Sequence, residues 1–330
     1  MEDPHAAAMH GGAGQARKEI EAALKIRRET GDRSGEAEAL HELASIECQQ
    51  RNYKEARDRF DAALKIWREI GDRSGLAGTL IQLAWIHGIQ GNHQEGREVV
   101  EEALTILREI GDRSGEAEML HESAMIHLAQ GGCKGAREGF EAALTIRREI
   151  GEGSVGEARA LHGLATIELL QRNFEEAREG FEAALTIRRE IGDHGGEAAA
   201  LHQLALIDMY QGNLKRARDG FEAALTILRE IGDLGGMGQA CYNLGTLAGN
   251  LSRRRAALEL LLVSAVIDST IGHRDAGSRW RAARKMAKEA RVPLEEVESR
   301  AEEMSRHIRE GMVSSVIQKA LDAFPWLRSE

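Results

Sequence analysis

Glycine recurs along this chain at a nearly fixed spacing, and each glycine ends a similar stretch of apolar and charged residues. The positions are Gly31, Gly71, Gly111, Gly151, Gly192, Gly232 and Gly272, separated by 40, 40, 40, 41, 40 and 40 residues. A period in this range is typical of stacked supersecondary units, each of which buries its apolar face only against its neighbours. The spacing therefore predicts one continuous solenoid rather than two globular domains.

A single unit, residues 35–71, contains two stretches with apolar residues at helical spacing. The first stretch places Leu40 and Leu43 on one face, and the second places Phe60 and Leu64 on one face, as in amphipathic helices. The glycine after the second stretch suits the left-handed conformation of a helix C-cap, and either the aspartate that follows it or the serine two residues further on can cap the next helix. Each unit is therefore expected to be two antiparallel helices joined by a short turn.

These positions resemble the tetratricopeptide repeat, with its large residue, leucine and small residue followed by alanine, an aromatic and alanine. In residues 37–66 the resemblance is carried by Leu40, Leu43, Ala44, Ala56, Phe60 and Ala63. Leucine replaces the usual leading tryptophan, and the period is longer than the common ~34 residues. In this it is similar to the 40-residue variety with Gly-Asp-Arg junctions, found here at residues 31–33, 71–73 and 111–113. The resemblance implies an all-α, right-handed superhelical solenoid of antiparallel helix pairs.

The repeat divides the chain into three segments. Residues 1–12 are expected to be disordered or a truncated first-repeat helix, and residues 13–272 to form a solenoid of one half repeat and six helix pairs. Residues 273–330 are expected to form a degenerate repeat and a helical C-terminal cap, basic at its start. Because so few residues precede the first full unit, we expect either a missing N-terminal domain or a partner chain at that end, with a homo-oligomer left open.

The resemblance also implies that first helices line a concave surface. Aliphatic and aromatic side chains there would suit an apolar helix or an extended peptide. The predicted partner-binding residues are His41, Trp85, Ile89, His121, Met125, His162, Leu170, His202, Leu206, Tyr210 and Tyr242. The alternative is that some of them pack between helices and belong to the core.

The histidines among these residues recur at one position of the repeat, which raises two further hypotheses. Imidazole titrates near neutral pH, so the surface could respond to pH, although copied repeats would carry copied histidines without any role. Equivalent positions on successive helices lie about 8–10 Å apart, whereas zinc holds imidazole nitrogens at about 2.0–2.1 Å. We therefore expect no metal and no other cofactor.

The charge of the chain is unevenly distributed. The net charge is −10, yet residues 251–292 carry ten lysines and arginines against four acidic residues. The predicted basic patch consists of Arg274, Arg281, Arg284, Lys285 and Lys288, with Arg279 and Arg291 in the same stripe. An acidic protein segment is the expected partner of this patch. Nucleic acid is a weaker alternative, because Trp280 is the lone aromatic residue among these basic residues.

Catalytic motifs such as a phosphate-binding loop or a nucleophile elbow are absent from the sequence. The chain has three widely spaced cysteines and neither a signal peptide nor an apolar run of about 20 residues, which predicts a cytoplasmic protein. The sequence thus predicts a non-enzymatic protein-interaction scaffold that binds a peptide or helix. The alternative is the peptide-sensing regulatory region of a larger signalling or transcription-control protein.

Overall fold

The fold was analysed in a computed structural model, which describes residues 4–151 and 155–322. These ranges contain sixteen helices and no strand, which confirms the prediction of an all-α fold. The helices are α1 (Pro4–Thr30), α2 (Arg33–Gln49), α3 (Tyr53–Ile70), α4 (Arg73–Gln90), α5 (His93–Ile110), α6 (Arg113–Ala129), α7 (Cys133–Glu149), α8 (Val155–Leu170), α9 (Phe174–Glu190), α10 (His194–Tyr210), α11 (Leu214–Glu230), α12 (Leu234–Asn250), α13 (Arg254–Thr270), α14 (Ala276–Ala290), α15 (Leu294–Arg309) and α16 (Val313–Asp322).

The chain forms two compact units, residues 1–167 and 168–330. In the first unit, α2 packs on α3, α4 on α5 and α6 on α7; in the second, α10 packs on α11 and α12 on α13. Helix α1 runs unbroken from Pro4, whereas the sequence predicts a helix that starts at residue 13. Residues 1–3 of the predicted N-terminal segment lie outside the described part of the chain.

The recurrent glycines and aspartates form the junctions between helix pairs. Gly71 has a φ of 74°, in the left-handed region where a side chain would be strained. The next residue, Asp72, accepts a 2.9 Å hydrogen bond from the amide of Gly75 and so caps the N-terminus of α4. The same geometry recurs at Asp32 and Asp112. The glycine C-cap is therefore confirmed, and of the two capping candidates it is the aspartate, not the serine, that caps the next helix.

A second glycine of the junction has a steric role that the sequence pattern did not reveal. A Cβ atom on Gly75 would lie 2.7 Å from the indole ring of Trp67, and one on Gly115 would lie 2.5 Å from Cδ2 of Leu107. Real Cβ atoms essentially never approach so closely. The large side chain near the end of each second helix therefore packs directly on the backbone of the next first helix.

Salt bridges connect successive junctions along the first unit. Nη2 of Arg113 lies 2.7 Å from Oε2 of Glu149. The residues one repeat earlier, Arg73 and Glu109, also form a salt bridge, as do Arg33 and Glu69 in the repeat before that. We call these three pairs the junction ladder. In the second unit the corresponding arginine positions hold His194 and Leu234, so the ladder belongs to the first unit.

Phenylalanine fills the centre of most of the helix pairs. Phe60, Phe140, Phe181 and Phe221 are fully buried. A Cβ atom on Gly163 of α8 would lie 2.6 Å from the ring of Phe140, so the ring of α7 packs closely on the backbone of the next pair. The ring of Phe140 therefore fills the space between two adjacent helix pairs.

The end of the second unit departs from the two-layer arrangement. Helix α13 is buried along almost its whole length, from Ala256 to Asp268, because α12, α14, α15 and α16 all pack against it. Helix α16 buries Val313, Val316 and Ile317, as expected of a helix that caps the end of the repeats.

Candidate functional site

A groove in the first unit is lined by residues of three first helices. Its volume is about 440 Å³, within the usual range of ligand sites. The side chains around it are Ser45, Cys48 and Gln49 of α2, Ile81, Gln82 and Trp85 of α4, and Glu118, Met119 and Glu122 of α6. We call this the α2–α4–α6 groove.

The exposed apolar residues of the first unit include three of the predicted partner-binding side chains. Trp85 is 42% exposed, Ile89 45% and Met125 46%. The indole of Trp85 lies edge-on to the ring of Tyr53, with the ring centroids 6.1 Å apart, so its orientation is fixed by α3. An oriented, half-exposed tryptophan on the wall of a groove is a suitable anchor for an apolar partner.

The opposite wall of the groove is charged, but its charges are paired. Nη1 of Arg159 lies 2.9 Å from Oε1 of Glu118, and Nη2 lies 3.2 Å from Oε1 of Glu122. Arg147 lies 3.3 Å from the other oxygen of Glu118. Burial raises the pKa of Glu122, while Arg159 opposes that shift. The groove therefore joins an aromatic wall to a network of two carboxylates and two guanidinium groups.

Most of the histidines at this position of the repeat pack against the neighbouring helix and do not lie on an open surface. His121 is 9% exposed, and its ring lies edge-on to Phe140. His41 packs in the same way on Phe60, and His202 on Phe221. His162 is half-buried. The sequence could not distinguish this flank of the first helix, which the second helix covers, from the flank that lines the groove.

Burial also decides the protonation of these histidines. It lowers the pKa of His121 to about 3 and that of His202 to about 4, and nearby arginines act in the same direction. The pKa of His41 is lowered as well, again by burial. These imidazoles are neutral at physiological pH, so the structure does not support the hypothesis of a surface that responds to pH near neutrality.

The predicted partner-binding residues of the second unit lie in different environments. Leu170 and Tyr210 are both 62% exposed, and the ring of Tyr210 stacks on Phe174 with 6.1 Å between centroids. Leu206 is half-buried against the core. The ring of Tyr242 is covered by the guanidinium of Arg279, 4.1 Å from its centroid.

The basic patch is exposed, with one exception among the residues of the predicted stripe. Arg281, Arg284, Lys285 and Lys288 have the spacing of a single helix face on α14, and Arg274 precedes that helix; all five are exposed. Arg279, in contrast, is 4% exposed. Its Nε lies 3.2 Å from Oδ2 of buried Asp268, and its Nη2 donates to Gln239. Arg279 therefore stabilises the packing of α14 and does not belong to the surface stripe.

A cavity that no sequence motif indicated lies among the last four helices. It has a volume of about 540 Å³ and is lined by residues of α13, α15 and α16 together with Arg291 and Val292, which follow α14. The sequence feature that could have indicated this cavity is the nearly continuous apolar run of residues 256–267. A helix that is apolar all round must be covered on several sides.

The described residues contain neither a metal-binding cluster nor a membrane-spanning helix. No group of three or more histidine, cysteine, aspartate or glutamate side chains there could hold a metal ion. None of the described helices is both long and apolar enough to span a bilayer.

Comparison with known proteins identifies the repeat. The sequence profile of the tetratricopeptide repeat matches residues 35–109 and 115–190, which together make up less than half of the chain. No curated protein matches the sequence.

Several solved structures have a similar fold. BtubC from P. vanneervenii is 20% identical with a TM-score of 0.57, and the match covers 67% of this chain and 92% of that one. A signal transduction ATPase with a tetratricopeptide repeat sensor from Pyrococcus horikoshii is 16% identical with a TM-score of 0.61, covering 90% of this chain and 46% of that one. A Rap protein complexed with Competence and Sporulation Factor is 16% identical with a TM-score of 0.59, covering 77% and 76%.

At these identities the similarity of structure establishes the fold alone. The profile match, the helix pairs and the junction geometry agree with one another over the first repeats. The matched segments, residues 35–109 and 115–190, are therefore tetratricopeptide repeats, spaced by 40 residues with Gly-Asp-Arg junctions.

Proposed function

We propose that this chain is a non-enzymatic protein-interaction scaffold that binds a peptide or a helix in the α2–α4–α6 groove. The observation that carries the proposal is the position of Trp85, which is oriented by Tyr53 and lines a groove of about 440 Å³. Ile89 and Met125 extend the exposed apolar surface of α4 and α6. The buried histidines are left out of the proposed surface, as is Tyr242.

The paired charges on the opposite wall support a partner that combines an apolar anchor with polar groups. Glu118 and Glu122 already bind Arg159, so a partner with a cationic side chain would have to compete with that guanidinium. A ligand whose main anchor is apolar avoids this competition. We therefore expect the affinity to depend more on Trp85 than on the carboxylates.

A crosslinking experiment tests the proposal with a matched control. A benzophenone amino acid is placed at Trp85 or, as control, at exposed Lys65 of α3, and each protein is irradiated in lysate of the source organism. We expect a discrete crosslinked partner from position 85 alone. The partner should also be lost in a Trp85→Ala/Met125→Ala variant.

The second control replaces apolar residues of similar exposure that lie outside the groove. Ile70 and Ile110 are 40% and 39% exposed, and an Ile70→Ala/Ile110→Ala variant should keep the partner. Loss of an anchor of this kind weakens binding by about 2 kcal/mol or more. Equal retention of all bound proteins by both variants would contradict the proposal.

A second candidate function is that of a sensor region in a larger regulatory protein. It is favoured by the similarity to the Pyrococcus horikoshii ATPase, whose own tetratricopeptide repeats are described as a sensor and of whose chain this one covers 46%. Reading the complete coding sequence tests it: an adjoining nucleotide-binding or DNA-binding domain would favour the sensor over the free scaffold.

The cellular location we propose is the cytoplasm. Cys48, Cys133 and Cys241 are free thiols, and burial raises the pKa of Cys241 to about 12. Unpaired thiols are typical of a reducing compartment. Fractionation of the source cells, followed by an antibody against the chain, would test the location.

A further inference from the structure

The cavity among the last helices has the shape and the lining of a small-molecule site. Its volume of about 540 Å³ falls within the range of about 300–1,000 Å³ found for ligand pockets. Aliphatic side chains form part of its surface, among them Leu258, Val292, Met304 and Val316. A ligand that fits this cavity must therefore have an apolar part.

Most of the charged groups around the cavity are paired with one another. Arg300 binds Glu259 across the cavity and lies 2.6 Å from Glu296 on its own helix. Nζ of Lys319 lies 3.6 Å from Oε1 of Glu303. These pairs join α15 to α13 and α16, so they hold the walls of the cavity together.

Two arginines of the lining have no such role. Arg255 lies in the first turn of α13, and Arg291 lies at the C-cap of α14 with a left-handed φ of 59°. Within the described part of the chain, neither guanidinium has a hydrogen-bond or ion-pair partner. The amide of Arg291 donates to the carbonyl of Lys288, and that of Val292 donates to the carbonyl of Ala287, so the backbone at this corner is fixed.

We propose that this cavity binds a small amphipathic monoanion, a carboxylate with an apolar body. Arg255 and Arg291 would bind the carboxylate, because guanidinium groups pair with carboxylates through strong charge-assisted hydrogen bonds. The aliphatic surface would contact the apolar body. This site involves other residues than the α2–α4–α6 groove and does not depend on the proposed function.

The lining also excludes other anions. Glu259, Glu296 and Glu303 are present beside three arginines, one lysine and His307, so a multiply charged anion such as phosphate would meet repulsion that a single carboxylate largely avoids. A small hydrophilic anion such as acetate would leave the aliphatic surface uncovered and gain nothing from it.

Calorimetric titration of the full chain with octanoate tests the proposal. We expect saturable binding with one site per chain, and much weaker binding of acetate, inorganic phosphate and neutral octanol. An Arg255→Gln/Arg291→Gln variant should bind octanoate about tenfold more weakly or worse, since each lost contact is a hydrogen bond to a charged group. Both residues are exposed, so thermal melts of the variant should match the parent.

The matched control removes the same charge from positions of α13 and α14 that lie outside the cavity. An Arg254→Gln/Arg281→Gln variant should bind octanoate like the parent, because neither residue lines the cavity. Met304→Gln should weaken the binding of octanoate without strengthening the binding of acetate. Absence of saturable octanoate binding, equal weakening by the two double variants, or phosphate binding as tightly as octanoate would each overturn the proposal.

Discussion

The imidazole of His121 packs edge-on against the ring of Phe140, with 5.0 Å between their centroids. The two residues belong to the two helices of one pair, and Phe140 also lies against the backbone of Gly163 in the next pair. The contact therefore lies where three helices of the first unit meet. Its disruption should affect stability rather than binding.

Replacement of Phe140 by alanine should destabilise the first unit strongly. The ring is fully buried, and removing it leaves a cavity beside Gly163 that the backbone cannot fill. We expect a loss of about 3–5 kcal/mol in the free energy of unfolding, measured by urea denaturation. Ile110→Ala, at an exposed residue, should change it by no more than about 0.5 kcal/mol; similar values for the two variants would contradict this account of the packing.

Acidification should destabilise the protein through its buried histidines. A lowered pKa means that the folded state holds fewer protons than the unfolded chain, so stability is complete above the unfolded value of about 6.5 and falls as the pH drops below it. For His121 the loss continues down to its folded value of about 3. At about pH 5 the loss of unfolding free energy from His121 should amount to about 2 kcal/mol.

The histidine prediction is measured as the melting temperature between about pH 7.5 and pH 5. His121→Gln should flatten this dependence, because the glutamine has no proton to gain. His194→Gln provides the control, since His194 is exposed on α10 and its loss should leave the slope unchanged. A slope that is the same in the parent and in His121→Gln would refute the assignment.

Two glycines of α4 should respond to alanine with opposite signs. A methyl group on Gly75 would lie 2.7 Å from the indole of Trp67, whereas one on Gly78 would have nothing within 4 Å. We expect Gly75→Ala to cost about 1–3 kcal/mol through overpacking, and Gly78→Ala to stabilise by about 0.5–1 kcal/mol through helix propensity. Chemical denaturation gives the free energy of unfolding of both variants. A Gly75→Ala variant more stable than the parent would contradict the prediction.

The basic face of α14 should not bind duplex DNA with appreciable affinity. The net charge of the chain is −10, which repels the DNA backbone, and Trp280 is the lone aromatic residue among these basic residues, with its Nε1 donating to Ser269. We expect only weak binding of an unrelated DNA duplex in fluorescence anisotropy. An Arg281→Gln/Arg284→Gln/Lys285→Gln variant should bind that duplex as weakly as the parent does. Tight binding that falls by about 0.9 log units per contact for each log of salt, and that the triple variant abolishes, would instead establish a nucleic-acid site.

Local features of the fold could be predicted because they repeat and depend on nearby residues. The left-handed glycines, the capping aspartates and the buried phenylalanines follow from spacing alone. The site was harder to predict, because Trp85 and His121 occupy similar faces of first helices and differ in which neighbouring helix covers them. The cavity beside Arg255 and Arg291 requires α13 to meet α15 and α16, an approach that no local pattern specifies.

The junction ladder has a consequence for how such a protein can change in length. Each pair of the junction ladder joins an arginine to the glutamate 36 residues later, and the junctions themselves are 40 residues apart. Excision of residues 73–112 would join Asp72 directly to Arg113, and Arg113 would still reach Glu149. The repeat number can therefore change by recombination without new junction contacts having to evolve. The same excision would remove Trp85, so the scaffold would survive an event that erases its proposed binding site.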